Sequence, residues 1–208
     1  MTGLVLAWEL AFLWRNRRVG EPGTGTTALG AANLVTLVRG ASFAGVAGFV
    51  VTEPVGVLAW GPALLYGVGV SLDAVDGVVA RTLGESTRLG EKLDLAFDTL
   101  GFLVAPIVAV AWGRLPVWYL TLATARYWYR LGLWLRRRRG RPVGTLPESR
   151  VRRPLAAVQM AFITVALAPV LPARLVAVLA ALVVVPSLAV FLRDYLVVTG
   201  RWPVASDG

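Results

Sequence analysis

Residues 71–100 read SLDAVDGVVARTLGESTRLGEKLDLAFDTL, and the four aspartates in this stretch decide how the rest of the chain is read. Asp73, Asp76, Asp94 and Asp98 stand in or beside segments otherwise apolar enough for a bilayer. A carboxylate at the centre of a membrane helix costs about 2.5–3.5 kcal/mol on insertion scales, so such residues mark a functional site by default. Asp73, Asp76, Gly77 and Ala80 fall at i, i+3, i+4 and i+7, one face of a helix, and Asp94 and Asp98 fall at i and i+4 on the next. Two helices of this kind can turn paired carboxylates towards each other. At about 5 Å and an effective dielectric of about 20, each pair repels by roughly 3 kcal/mol, so the cluster must hold protons or bind cations. The chain has neither His nor Cys. Ligation is therefore all-oxygen, which suits Mg²⁺ or Mn²⁺ rather than zinc or iron.

The small residues fit a site that something large approaches. Gly77 and Ala80 remove bulk from the carboxylate face, and Gly84 and Gly90 flank the polar connection between the two segments. Arg81 follows directly. Its planar fork suits a phosphate as well as it suits charge neutralisation of the acids.

Together these residues match a family signature. Asp73, Asp76, Gly77, Ala80, Arg81, Gly90, Asp94 and Asp98 stand at the spacing DxxDGxxAR, eight residues, GxxxDxxxD, which resembles the signature of the CDP-alcohol phosphatidyltransferases. Eight specified residues at fixed spacing arise by chance at on the order of 1 in 10¹⁰ starting points, far below a lone glycine motif. The competing reading is helix-packing glycines with incidental acids.

The whole chain agrees with a membrane location. It has 208 residues, 57% of them hydrophobic, with mean hydropathy +0.68 and net charge +9. That is the composition of a polytopic membrane protein. Residues 1–14 are apolar but too short to span, and positive charge follows rather than precedes them, unlike a signal peptide. They are expected to form an interfacial helix with Trp8 and Trp14 at headgroup level, followed by Arg15, Arg17 and Arg18. Residues 19–30, rich in Gly, Pro and Thr, read as a linker. Residues 1–30 thus form a juxtamembrane segment and 31–208 a six-helix domain. The fold class is an all-α integral membrane protein with six transmembrane helices, near 31–52, 56–80, 92–113, 116–135, 154–171 and 173–197.

Charge orients these helices. The short turns carry only Arg114 and Arg174, whereas Arg15, Arg17, Arg18, Arg81, Arg88, Lys92, the arginines of residues 136–153, Arg193 and Arg201 lie at the other ends. The positive-inside rule puts both termini, and the aspartates, at the cytoplasmic face of a plasma membrane.

Asn33, Thr36 and Arg39 lie at the same level of the first helix. By residue type they read as capping and snorkelling groups. The segment NLVTLVR is, however, similar to the one that in this family contacts the nucleotide, which assigns Asn33 and Thr36 to the donor; Arg39 suits either a phosphate or the membrane surface. Residues 136–153 hold eight arginines. Most are expected to face anionic lipid. The layout of Arg150, Arg152, Arg153 and the following Gln159 is similar to that of relatives with a phosphorylated acceptor. Arg126 sits where some of them carry an Arg-Glu pair, although Tyr127 follows here, and Pro154 replaces a usual threonine.

The resemblance implies transfer of a phosphatidyl-type group from a CDP-lipid, with diacylglycerol or archaeol backbone, to an alcohol, releasing CMP. It implies two Mg²⁺ or Mn²⁺ ions on Asp73, Asp76, Asp94 and Asp98, with Asp98 also the base. Gly77, Ala80, Arg81, Thr87 and Gly90 join Asn33 and Thr36 around the CDP-lipid, while Arg126, Arg150, Arg152 and Arg153 meet acceptor phosphate, such as that of glycerol 3-phosphate or an inositol phosphate. A homodimer in the bilayer is implied, and no nucleic-acid partner. Neutral acceptors such as serine or inositol are the alternative. An ion- or proton-coupled transporter explains the carboxylates but not Gly77, Ala80, Arg81 and Gly90 at their spacing.

Overall fold

The computed structural model describes residues 2, 3, 7, 11, 31–83, 88–146, 149 and 151–202. Apart from those first four positions, the interfacial helix expected over residues 1–14 and the linker 19–30 lie outside the described residues. Among the described residues there are six long helices and no strand: α1 Ala31–Gly48, α2 Gly61–Leu83, α3 Arg88–Ala111, α4 Leu120–Arg138, α5 Arg152–Leu167 and α6 Ala173–Val198. Short 3₁₀ turns, Phe49–Val51, Gly56–Trp60 and Val117–Tyr119, flank α1, α2 and α4. Counting those turns with their helices, every boundary falls within about four residues of the sequence reading, the usual scatter of helix ends.

The ends of the helices are held by side chains whose partners lie far along the chain. Trp112, just past α3, donates its indole N–H to Phe49 O and Thr52 O, each at 2.9 Å, and so ties the end of α3 to the end of α1. Arg114 donates from Nε to Ala166 O at 3.2 Å and from Nη2 to Ala168 O and Leu171 O at 2.5 and 2.9 Å. Those carbonyls lie at or beyond the end of α5, where a cation is also favoured by the helix dipole. The ends of α1, α3 and α5 therefore share one face. At the opposite face Arg136, in the last turn of α4, donates to Thr199 O just beyond α6 at 2.8 Å and to Pro142 O at 3.0 Å. Gly113 and Gly140, two of four described glycines at positive φ, turn the chain after α3 and α4 at 66° and 65°, which a side chain would strain.

Two of the arginines take on roles within the bundle. Arg136, one of the eight arginines of residues 136–153, holds helix ends. Arg114, one of the two positive charges in the short turns, is likewise consumed by backbone carbonyls. These roles are hard to see in sequence, because Thr199 O lies 63 residues from Arg136 and the acceptors of Arg114 lie 52 or more residues away.

Apolar side chains point both inwards and outwards. The core runs through Phe43, Val46, Tyr66, Val104, Val108, Ile163 and Val176. On α6, Leu175, Val178, Leu182, Val185 and Leu192 recur at helical spacing and are exposed, Leu182 and Val185 at 67% each. An outward apolar stripe of this length suits hydrocarbon and not water. Two segments among the described residues are long and apolar enough to cross a membrane, Gly56–Asp73 and Ala173–Val198. At 26 residues, α6 extends about 39 Å, more than the roughly 30 Å of a bilayer core.

Candidate active site

The carboxylate motif is carried entirely on regular helix. Asp73, Asp76, Gly77, Ala80 and Arg81 lie in the last half of α2, and Gly90, Asp94 and Asp98 in the first half of α3. Of the four aspartates, Asp73 has a described side chain. Those of Asn33, Thr36, Asp76, Ala80, Arg81, Asp94 and Asp98, like all of Thr87 and Arg150, lie outside the described residues.

The two motif helices are set by α1. Phe43 of α1 is 3% exposed, and its ring fills the space left by a glycine on each neighbour. A methyl group on Gly69 of α2 would come within 2.5 Å of that ring, and one on Gly101 of α3 within 2.8 Å. Gly69 lies four residues before Asp73, and Gly101 three residues after Asp98. One aromatic wedge therefore fixes the helix separation about a turn from both carboxylate levels. Replacing Gly101 by Val is expected to destabilise the protein by about 1–3 kcal/mol through overpacking. A second change, Phe43→Leu, is expected to recover part of that loss, as thermal unfolding of the purified double variant can check. No recovery would mean that Gly101 is needed for its backbone and not for the ring.

Arg39 is the second device. The sequence reading left it for a phosphate or the membrane surface, and the structure corrects this. The side chain is 1% exposed, and its Nη1 donates to Asp73 Oδ1 at 2.5 Å, whereas Asp73 retains 35% exposure. The pair forms because antiparallel α1 and α2 bring residues 34 apart to one level. Asp73 is thus gripped from behind with its carboxylate still accessible, the usual arrangement of a metal-ligating carboxylate with an outer hydrogen-bond partner. Asp73, the candidate ligand with a described side chain, fits a hard divalent cation in this arrangement. Arg39→Gln is expected to weaken divalent-cation affinity 10- to 100-fold, read from paramagnetic Mn²⁺ binding. Unchanged Mn²⁺ affinity would make the pair purely structural.

Beyond Asp98, one turn along α3, Phe102 begins the lining of a cavity of about 200 Å³ between α3, α4, α5 and α6. Arg126 and Arg152 both line it, so two of the four predicted acceptor arginines converge. Arg153 is exposed and outside the lining, since consecutive residues on a helix point about 100° apart. Sequence reasoning missed Asp194. It is 5% exposed and lines the same cavity, accepting from Arg193 Nη2 at 2.9 Å and facing Arg152 Nε at 3.2 Å. The only available signal was an Arg-Asp pair inside the otherwise apolar run FLRDYL. Deeper in, Gln159 donates to Ser187 Oγ at 2.7 Å and Ser187 to Val183 O at 2.6 Å.

A model of the CDP-alcohol phosphatidyltransferase family matches residues 29–201. Proteins provisionally named as cardiolipin synthases in Mycobacterium bovis and Mycobacterium tuberculosis are 48% identical to the chain over 66 residues. That match spans 31% of this chain and 31% of theirs. No solved structure matches the chain.

Proposed function

The chain belongs to the CDP-alcohol phosphatidyltransferase family, whose members are embedded in membranes, and we propose that it makes phospholipid by moving a phosphatidyl-type group from a CDP-lipid to an alcohol, with release of CMP. The observation that carries this reading is Asp73, held by buried Arg39 on a motif helix that Phe43 locks beside the helix of Asp94 and Asp98. The name given to the mycobacterial relatives also refers to phospholipid synthesis.

Asp73, Asp76, Asp94 and Asp98 would hold two divalent ions, Mg²⁺ or Mn²⁺, which when bound supply Lewis-acid stabilisation of phosphate charge. The chain's own groups do the rest. Asn33, Thr36, Gly77, Ala80, Arg81, Thr87 and Gly90 bind and orient the CDP-lipid. Asp98 accepts the proton of the acceptor hydroxyl as its oxygen bonds to the β-phosphorus, and the bond from that phosphorus to the bridging oxygen breaks with its electron pair leaving on CMP. Arg126 and Arg152, with Arg150 and Arg153 nearby in sequence, attract an acceptor that carries phosphate. Six spans over residues 31–208, with both termini and the aspartates at the cytoplasmic face, give CMP and the donor headgroup access to the site. A homodimer is the expected assembly.

The test is CMP release from CDP-diacylglycerol by the purified chain in mixed micelles with Mg²⁺ or Mn²⁺. Release that needs both an alcohol and the cation, and stops with chelator, supports the reading. No release with any alcohol would return the carboxylates to the transporter alternative.

A further inference from the structure

Resting on the transferase reading with an anionic acceptor, we propose that Asp194 is a positioning residue for the reaction: it turns Arg152 onto the cavity wall and fixes the guanidinium there for acceptor phosphate. Arg152 has little reason to stay on that wall by its own chemistry. It is the first residue of α5, where the helix dipole is positive and disfavours a cation. The first turn of α5 holds no acidic residue, and no side chain caps it among the described residues. A long charged side chain at such a helix end turns its head to water, as that of the neighbouring Arg153 does. Arg152 keeps 33% exposure and lines the cavity instead.

Asp194 supplies what α5 lacks. It stands on α6 in the cavity lining, 5% exposed, and divides its two carboxylate oxygens between two arginines. Oδ1 accepts from Arg193 Nη2 at 2.9 Å and from Arg193 Nε at 3.2 Å, while Oδ2 faces Arg152 Nε at 3.2 Å. Arg193 in turn donates to Ser149 Oγ at 3.3 Å. With one oxygen held by its own neighbour, the carboxylate is restrained and its second oxygen keeps a set direction. The turn of α6 that carries it is braced from α4. The ring of Tyr129 meets those of Phe191 and Tyr195, three residues before and one after Asp194, at 6.5 and 6.1 Å between centroids. Gly132 lets Tyr195 close against α4, since a methyl group there would come within 2.9 Å of that ring. Asp194 therefore fixes Arg152 relative to α4, the helix that carries Arg126 to the same cavity. An outer carboxylate that orients a binding group in this way holds it in productive geometry without itself touching the substrate.

The experiment separates placement from stability. The full chain in mixed micelles with CDP-diacylglycerol and Mg²⁺ is given glycerol 3-phosphate or phosphatidylglycerol, and CMP release is followed with whichever anionic acceptor the wild type uses. Asp194→Asn keeps the shape and loses the charge. It is expected to raise the acceptor KM about tenfold, with kcat and the KM for CDP-diacylglycerol within about twofold of wild type. Asp194→Glu returns the charge and is expected to recover most of the loss. In an Arg152→Gln background, Asp194→Asn is expected to add less than about twofold, because the carboxylate acts through that arginine. Should Asp194→Asn fail to fold, Asp194→Asn with Arg193→Gln removes the buried anion together with one of its cations and is expected to show the same rise. A fall in acceptor KM would mean that the carboxylate masks Arg152, and would overturn the positioning role. Equal rises in both Michaelis constants with a lower unfolding temperature would make Asp194 a structural anchor and overturn it too, as would a full effect in the Arg152→Gln background. CMP release with serine or inositol and with neither anionic acceptor would overturn this role while the transferase reading stands. No release with any alcohol would remove the transferase reading, and the role of Asp194 with it.

Discussion

Asp98→Asn is expected to lower kcat for CMP release by about 10²- to 10⁴-fold, the range typical of losing a general base. The substitution keeps the size of the side chain and an oxygen that can face a cation, but removes the negative charge and with it the basicity needed to take the acceptor proton. Thermal stability should change little, because Asn keeps the size and shape of Asp and the described packing that joins α2 and α3 runs through Phe43, Gly69 and Gly101. If Asp98 acts chiefly as a ligand, raising Mg²⁺ or Mn²⁺ will restore the rate. If it is the base, saturating cation leaves the rate low. A variant with near-normal turnover at ordinary cation concentration would show that the proton goes elsewhere.

Arg126→Gln is expected to raise the KM for an anionic acceptor by about 10- to 100-fold, since a charge-assisted hydrogen bond contributes about 1.5–3 kcal/mol where water is scarce. The KM for the CDP-lipid should move much less. Arg152 also faces buried Asp194, so Arg152→Gln would leave that carboxylate to Arg193 and mix a structural loss with the loss of acceptor affinity. Equal rises in both Michaelis constants after Arg126→Gln would place this arginine on the donor, or on the bundle in general, and remove it from acceptor recognition.

Most of what the aspartate stretch implied was legible because helical periodicity is local. Asp73, Asp76, Gly77 and Ala80 share a face of α2 by spacing alone, and hydropathy with proline and glycine punctuation placed the six helices of the described region to within a few residues. The family signature is local in the same sense, and the match over residues 29–201 agrees with it.

Contacts between distant segments were not legible. Whether Arg39 snorkels, binds phosphate or pairs with Asp73 depends on α1 and α2 packing antiparallel at one level, and the burial that settles it exists only after folding. The same holds for Phe43 between Gly69 and Gly101: two glycines and a phenylalanine in three helices carry no shared pattern until the helices meet. Asp194 drew no reading from the sequence, and it is a buried partner of Arg152 and Arg193 because α5 packs against α6. Arg152 and Arg153 were equivalent in the sequence, and the rotation of α5 separated them, one onto the cavity and one to the outside. The sequence by itself determined the helices, the carboxylate chemistry and the family, because each rests on residues within a turn or two of one another. Tertiary structure alone decided which charges are buried, which arginines line the cavity and which apolar residues close it behind them, because those depend on how separate helices pack.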